Sequence, residues 1–144
     1  MDEYHKTALV VIENNGKFLL VRRAIEPEKG KWCFPGGHLD PGETIQECIK
    51  REASEEVGVE IELDEYDPFF VFEHQAGPHD NLPEHIHRAH CFMAKIKGDP
   101  KEVKINNESS DSGWFTLEET KRVELTIYSK TAVNKLKEME NAAD

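Results

Sequence analysis

Residues 43–57 carry apolar side chains at Ile45, Ile49, Ala53 and Val57, spaced four apart, and three glutamates at Glu52, Glu55 and Glu56. The apolar set is the stripe of an amphipathic helix that packs on a core. The glutamates, at i, i+3 and i+4, share one face flanking that stripe. Like charges at this spacing repel by about 0.2–0.5 kcal/mol per pair. They also crowd the C-terminal turn, where the helix dipole is already negative. Pro41-Gly42 before the stretch and Gly58 after it punctuate a helix of this length. The chain must therefore fold around a docked helix whose free face carries charge that helix physics opposes. A solvated acidic surface is one reading. The other is a hard divalent cation, which takes oxygen ligands and on which carboxylates one helical turn apart can converge. Mg2+ suits that reading, because it binds few protein carboxylates and leaves positions for water and phosphate oxygens. Arg51 is the one guanidinium inside the cluster, two turns after Glu43. It either pairs with Glu43, fixing the loop-to-helix geometry, or offsets charge at the surface.

The flanking sequence supplies strands. Residues 7–13 form a β-branched, nearly continuous apolar run, followed by Asn14-Asn15-Gly16 and a second run at residues 17–23. An Asn-Gly turn between two such runs predicts a hairpin. Residues 24–31, with Pro27 and Gly30, read as a loop, and residues 69–74 and 86–97 as two further strands. The Gly- and Pro-containing stretch at 76–84 is a long hairpin loop between them, and residues 98–113 read as polar and irregular. Thr126 can cap a last helix whose apolar positions are Ile127, Val133, Leu136 and Met139. With no repeat, linker or low-complexity tract, residues 1–144 are expected to form one domain of mixed α/β layers.

Charge sharpens the question. Against 18 Lys and Arg stand 29 Asp and Glu, a net charge of −11. That excess argues against a nucleic-acid duplex or an anionic membrane as partner, since both need basic surface. It would also repel a phosphorylated substrate, unless carboxylates hold a cation that inverts the local field. Cys33, Cys48 and Cys91 are odd in number and without a C-x-x-C, so they read as reduced thiols, with Cys48 and Cys91 in the core. The N-terminal residues lack a basic start and an apolar core, and no apolar run approaches the ~18 residues of a membrane span. A cytoplasmic protein is expected.

Gly37, Glu43 and the run Arg51-Glu52-Ala53-Ser54-Glu55-Glu56-Val57-Gly58-Val59, preceded by Trp32-Cys33-Phe34-Pro35-Gly36, resemble the full box of the Nudix hydrolases (residues 37–59). The resemblance implies an α/β/α sandwich with a mixed β-sheet and a loop-helix-loop catalytic motif. It implies hydrolysis of the diphosphate bond of a nucleoside diphosphate linked to another moiety, with Mg2+ or Mn2+ as cofactor. By the same resemblance Glu52, Glu55 and Glu56, with the carbonyl of Gly37, would ligate metal, and Glu43 would pair with Arg51 to brace the loop. Glu55 and Glu56 would then count among the catalytic carboxylates. Family members often use a further glutamate a few residues before a Trp; Glu108, six residues before Trp114, resembles it. Asp111 is a rival, and a solvated loop acid is the plain alternative.

Other residues are more open. Arg22 and Arg23 end a strand on opposite faces, so at most one faces a cleft, and Arg23 is the candidate phosphate contact. Trp32 and Phe34 either stack on a base or pack against their own loop. His85 and His87 share a strand face and could bind zinc, but no third ligand has fitting spacing, so the histidines from His74 to His90 line the cleft or are solvated. ADP-ribose-cleaving members often carry Pro about fifteen residues past the box, and dinucleoside-polyphosphate-cleaving members Tyr about seventeen past it. This chain has His74 and Ala76 there. Signatures for coenzyme A and NADH are absent too. Two function classes follow: a Mg2+-dependent hydrolase of a nucleotide-like diphosphate, and a non-catalytic Nudix-fold module that binds nucleotide in a regulatory role. Isoprenoid diphosphate isomerisation has no support outside the box, and a homodimer is compatible with the chain.

Overall fold

The apolar run near the N-terminus becomes strand β1 (Tyr4–Asn14), in a computed structural model that describes residues 4–76 and 85–142. The Asn-Gly signal holds: β1 pairs with β2 (Lys17–Arg23) through Asn14↔Lys17, and Asn15 and Gly16 take φ of 53° and 80°. Two positive φ values at a two-residue loop are the twist that right-handed strands accept. Two short strands follow, β3 (Trp32–Cys33) and β4 (Gly36–His38), then helix α1 (Ile45–Val57). Strands β5 (Ile61–Leu63), β6 (Phe70–Ala76), β7 (His85–Ile96) and β8 (Ser109–Phe115) precede helix α2 (Ile127–Ala142).

β7 is the long central strand. β1 runs parallel to it along one edge, while β6 and β5 pair antiparallel with its two halves on the other edge. β1 also pairs with β4, and β2 leaves β1 to pair with β3 and β8. Strand alternation then sorts the core into two layers. Ala8, Val10 and Ile12 of β1, with Phe92 and Ala94 of β7, face Ile49, Ala53 and Val57 of α1. Leu9 and Val11, with Cys91, face Ala132, Val133 and Leu136 of α2. Burial on both faces explains why β1 reads as a continuous apolar run instead of an alternating one. Each of Val10, Val11 and Ile12 is fully buried, a contribution of roughly 1.5–3 kcal/mol per side chain. This is the mixed-sheet α/β/α sandwich that the box resemblance implied.

Some expectations need correction. The polar stretch ends in a strand at Ser109, because Ser109 to Phe115 pairs with β2 through Phe18↔Phe115 and Leu20↔Gly113. The three-residue β5 has no counterpart in the sequence reading. Ile127 and Met139 are 48% and 42% exposed, so the buried face of α2 is Ser129, Ala132, Val133 and Leu136. At its entry the Thr126 carbonyl accepts the Lys130 N–H, and the Ile127 N–H donates to Glu28 Oε1. Most of the expected hairpin loop, residues 77–84, lies outside the described residues.

Candidate active site

The acidic face of α1 is placed by its two ends. Thr44 caps the N-terminus: its hydroxyl accepts the Glu47 N–H, and the Glu47 carboxylate accepts the Thr44 N–H, a closed capping box. Gly58 ends the helix at φ 67°, with its N–H on Ser54 O. With Ile49, Ala53 and Val57 anchored in the core, Glu52 and Glu56 lie along the boundary between α1 and β4.

β4 lies close against both β1 and the Glu52 side chain. A Cβ on Gly37 would stand 2.6 Å from Glu52 Oε1, and one on Gly36 would stand 2.2 Å from Ala8 O. The Gly36 N–H donates to Glu56 Oε2 at 2.8 Å. The glycine pair thus presses backbone against two of the three carboxylates. Burial is the largest cause that raises Glu56, up to about 8; neighbouring Glu52 and Glu108 push the same way, while the Gly36 N–H and Arg23 oppose. Glu52 is raised as well, by burial first, with Arg51 opposing.

Arg51 is the local counter-charge. Its Nε and Nη2 grip Glu43 at 2.8 and 3.0 Å, a bidentate pair, and Nη2 also reaches His38 O. Nη1 donates to Glu52 at 2.9 Å and Glu55 at 3.1 Å, and Asp40 lies 3.3 Å from Nε. That bond to Arg51, first among its causes, holds the Glu43 carboxyl down at about 2. Asp40, the fourth residue of the box, joins this cluster from three residues before Glu43 in the same loop, a role its position alone does not signal.

Glu108 and Arg23 reach the same place from outside the box. The Ala24 N–H donates to Glu108 O at 2.8 Å, which ties the segment before β8 to the end of β2. From there the Glu108 charge bears on Glu52 and Glu56. Asp111 sits opposite Arg22 in the β2–β8 ladder and is exposed. Of the two arginines, Arg23 is the one whose charge lowers Glu56; its Nε donates to Pro27 O at 2.7 Å. Arg22 is exposed and donates to Gly30 O.

Phe34 requires a correction. It is 4% exposed, packed with Leu9, Leu20 and α2, and its N–H donates to Ser129 Oγ at 2.9 Å. No ring face is open to a base, so Phe34 packs and does not stack on substrate. Trp32 packs on the same side, edge-on to Phe115 with ring centroids 5.1 Å apart. His87 is buried, its ring beside His5, His38 and Tyr128, with Nδ1 hydrogen-bonded to the Tyr128 hydroxyl. The zinc reading pairs His87 with His85, whose side chain lies outside the described residues; among the described ones no three His, Cys, Asp or Glu side chains converge on a point. The box glutamates obey this too, for Glu52 and Glu55 turn to Arg51 and Glu56 to the Gly36 N–H. Their chemistry nevertheless fits a hard cation. Three carboxylates on one helix face, two of them pushed toward protonation by burial and mutual repulsion, meet a backbone that glycine keeps in contact with them.

Residues 3–136 match the NUDIX domain family. Over 126 residues the chain is 30% identical to the nucleoside triphosphatase NudI of Escherichia coli, spanning 83% of this chain and 87% of that protein. Its fold is similar to the MutT NUDIX hydrolase of Burkholderia pseudomallei, with TM-score 0.75 and 25% identity over 92% of this chain and 98% of that one. The E. coli ORF135 protein gives TM-score 0.76 at 23% identity, over 96% of this chain and 92% of that one.

Proposed function

The chain belongs to the Nudix hydrolase family, and from that premise we propose that it is a Mg2+-dependent pyrophosphohydrolase of nucleoside triphosphates. Likeness to NudI, named a nucleoside triphosphatase, supports the substrate class. The observation that carries the chemistry is the contact of Glu52 and Glu56 with the glycine pair of β4, where the charges of Glu108, Arg51 and Arg23 act on them.

Glu52, Glu55 and Glu56, with the Gly37 carbonyl, would hold Mg2+, and Mn2+ as a substitute. The chemistry the cation would supply there is charge neutralisation of the diphosphate and Lewis acidity toward the attacking water. The protein's own part is positional. Arg51 holds Glu43 and His38 O, so the loop from β4 into α1 keeps the carboxylates against the backbone. Glu108 accepts the proton of the attacking water, being the carboxylate outside the box whose charge acts on Glu52 and Glu56. Arg23 contacts a phosphate oxygen, as its charge already acts on Glu56.

Purified protein is to be offered the eight common ribo- and deoxyribonucleoside triphosphates, a nucleotide sugar and a dinucleoside polyphosphate, with Mg2+ and with Mn2+. Nucleoside monophosphate plus pyrophosphate from the triphosphates is the expected result. Glu56→Gln should reduce it by about 100-fold or more. Binding without turnover of any nucleotide would sink the hydrolase reading and favour the binding module.

A further inference from the structure

Helix α1 ends in carbonyls that no helical N–H can reach. Ser54 O accepts the Gly58 N–H at 3.1 Å, and Val57 O accepts the Lys104 N–H at 2.9 Å. Glu55 O accepts Asn106 Nδ2 at 3.0 Å. The last turn contains no basic side chain, so this amide supplies a polar side-chain partner that the helix's own sequence lacks. The other end of the same amide is used as well: Asn106 Oδ1 accepts the Glu108 N–H at 3.0 Å. The Asn106 carbonyl takes the Ser109 N–H at 3.3 Å, and Glu108 O takes the Ala24 N–H at 2.8 Å. One side chain therefore spans two points that matter together. One is the box helix at Glu55; the other is the residue whose charge acts on Glu52 and Glu56. The task needs a donor and an acceptor on one short side chain, which asparagine provides. Aspartate keeps only the acceptor and sets a negative charge against a helix C-terminus that already repels it.

We propose that Asn106 is a positioning residue, which sets Glu108 against the box glutamates by bridging the Glu55 carbonyl and the Glu108 N–H. The proposal rests on the reading of Glu108 as the proton acceptor in nucleotide hydrolysis. Asn106 touches no reacting atom and acts only through Glu108. A plain helix-capping role makes a different prediction, because capping supports α1 whether or not Glu108 can take a proton.

The test is a double-mutant cycle between Asn106→Ala and Glu108→Gln on the triphosphate turned over best. Asn106→Ala is expected to lower kcat by about tenfold to 100-fold, with KM within about twofold, since a small displacement of a catalytic group costs that much. In the Glu108→Gln background the same change should cost nothing further. Hydrogen exchange on the metal-free protein gives a readout independent of turnover. The Glu108 amide should exchange faster in Asn106→Ala and stay slow in Asn106→Asp, which keeps the acceptor. Asn106→Asp also carries the cycle if the alanine variant folds poorly. An equal loss of kcat with and without the Glu108 carboxylate, or an unchanged Glu108 exchange rate in Asn106→Ala, overturns the proposal and leaves a cap. Full turnover in Glu108→Gln alongside an inactive Glu56→Gln overturns it while sparing the hydrolase reading. A wild-type protein inert on every nucleotide removes both.

Discussion

Arg51 places its guanidinium within 3.3 Å of Asp40, Glu43, Glu52 and Glu55, with a quarter of its side chain exposed. A fork that grips Glu43 with two nitrogens and still reaches two box glutamates with a third cannot be replaced by a point charge. Arg51→Lys should therefore cost much of what Arg51→Ala costs. For the alanine variant about 2 kcal/mol is expected, from charged hydrogen bonds lost and carboxylates left facing one another. In a domain of this size that lowers Tm by about 5 °C. A lysine variant as stable as wild type would mean that charge alone holds the cluster. The pairing also has a pH signature. Arg51 lowers the Glu43 carboxyl from its ordinary range to about 2. A carboxyl depressed by folding stabilises above its unfolded pKa, and that contribution fades as pH falls through the folded value. The Tm gap between wild type and Glu43→Gln should thus be full above about pH 4.5 and close as pH falls toward about 2. A gap unchanged across that window would remove Arg51 as the cause.

Elements differ in how plainly the sequence announces them. Helix α1 is legible at each end and along its length: Thr44 and Glu47 spell a capping box, the apolar stripe has period four, and Gly58 stops it. The β1–β2 hairpin is equally legible, because Asn15-Gly16 supplies both positive φ values locally. β8 is not, since Ser109, Ser110, Asp111, Ser112 and Gly113 have little strand preference, and their pairing is imposed by β2 from about ninety residues away. Phe34 misleads for the opposite reason. Its neighbours Pro35, Gly36 and Gly37 suggest a site, yet its own side chain packs under α2. Asn106 carries no signal at all, because its partner at Glu55 lies 51 positions earlier and only the fold brings them together. The junction of α1 with the segment that follows β7 can be probed at Gly58. A Cβ there would meet Lys104 O at 3.1 Å on a backbone at φ 67°, whereas Gly42, at φ 79°, has nothing within 4 Å. Both alanine variants bear the left-handed penalty of about 1–2 kcal/mol. Gly58→Ala should lose more, because the Lys104 N–H to Val57 O bond must give way too. Chemical denaturation of the two variants side by side decides it, and equal losses would mean that the Lys104 segment yields freely.

At the scale of the whole molecule, the charge of −11 is unevenly placed: residues 37–59 hold six acids against two bases. The fold concentrates it further by bringing Glu108 to Glu52 and Glu56. A divalent cation and a monovalent salt should therefore affect stability differently. Sodium chloride screens the general repulsion, and its effect is set by ionic strength. A cation bound by the box glutamates adds a linkage contribution, about 1.4 kcal/mol at tenfold excess over Kd, which raises Tm by about 3–5 °C. The comparison is made at matched ionic strength, with Mg2+ against Na+, in wild type and in Glu56→Gln. The glutamine keeps an acceptor for the Gly36 N–H and, since burial raises Glu56 to about 8, changes the metal-free charge at neutral pH very little, so general screening scarcely changes. The extra Mg2+ stabilisation should appear in wild type and vanish in the variant. Equal shifts from the two salts in wild type would show that the acidic face is merely screened and holds no cation. An Mg2+ increment that survives in Glu56→Gln would place the cation elsewhere on this acidic surface, away from the glycine pair of β4.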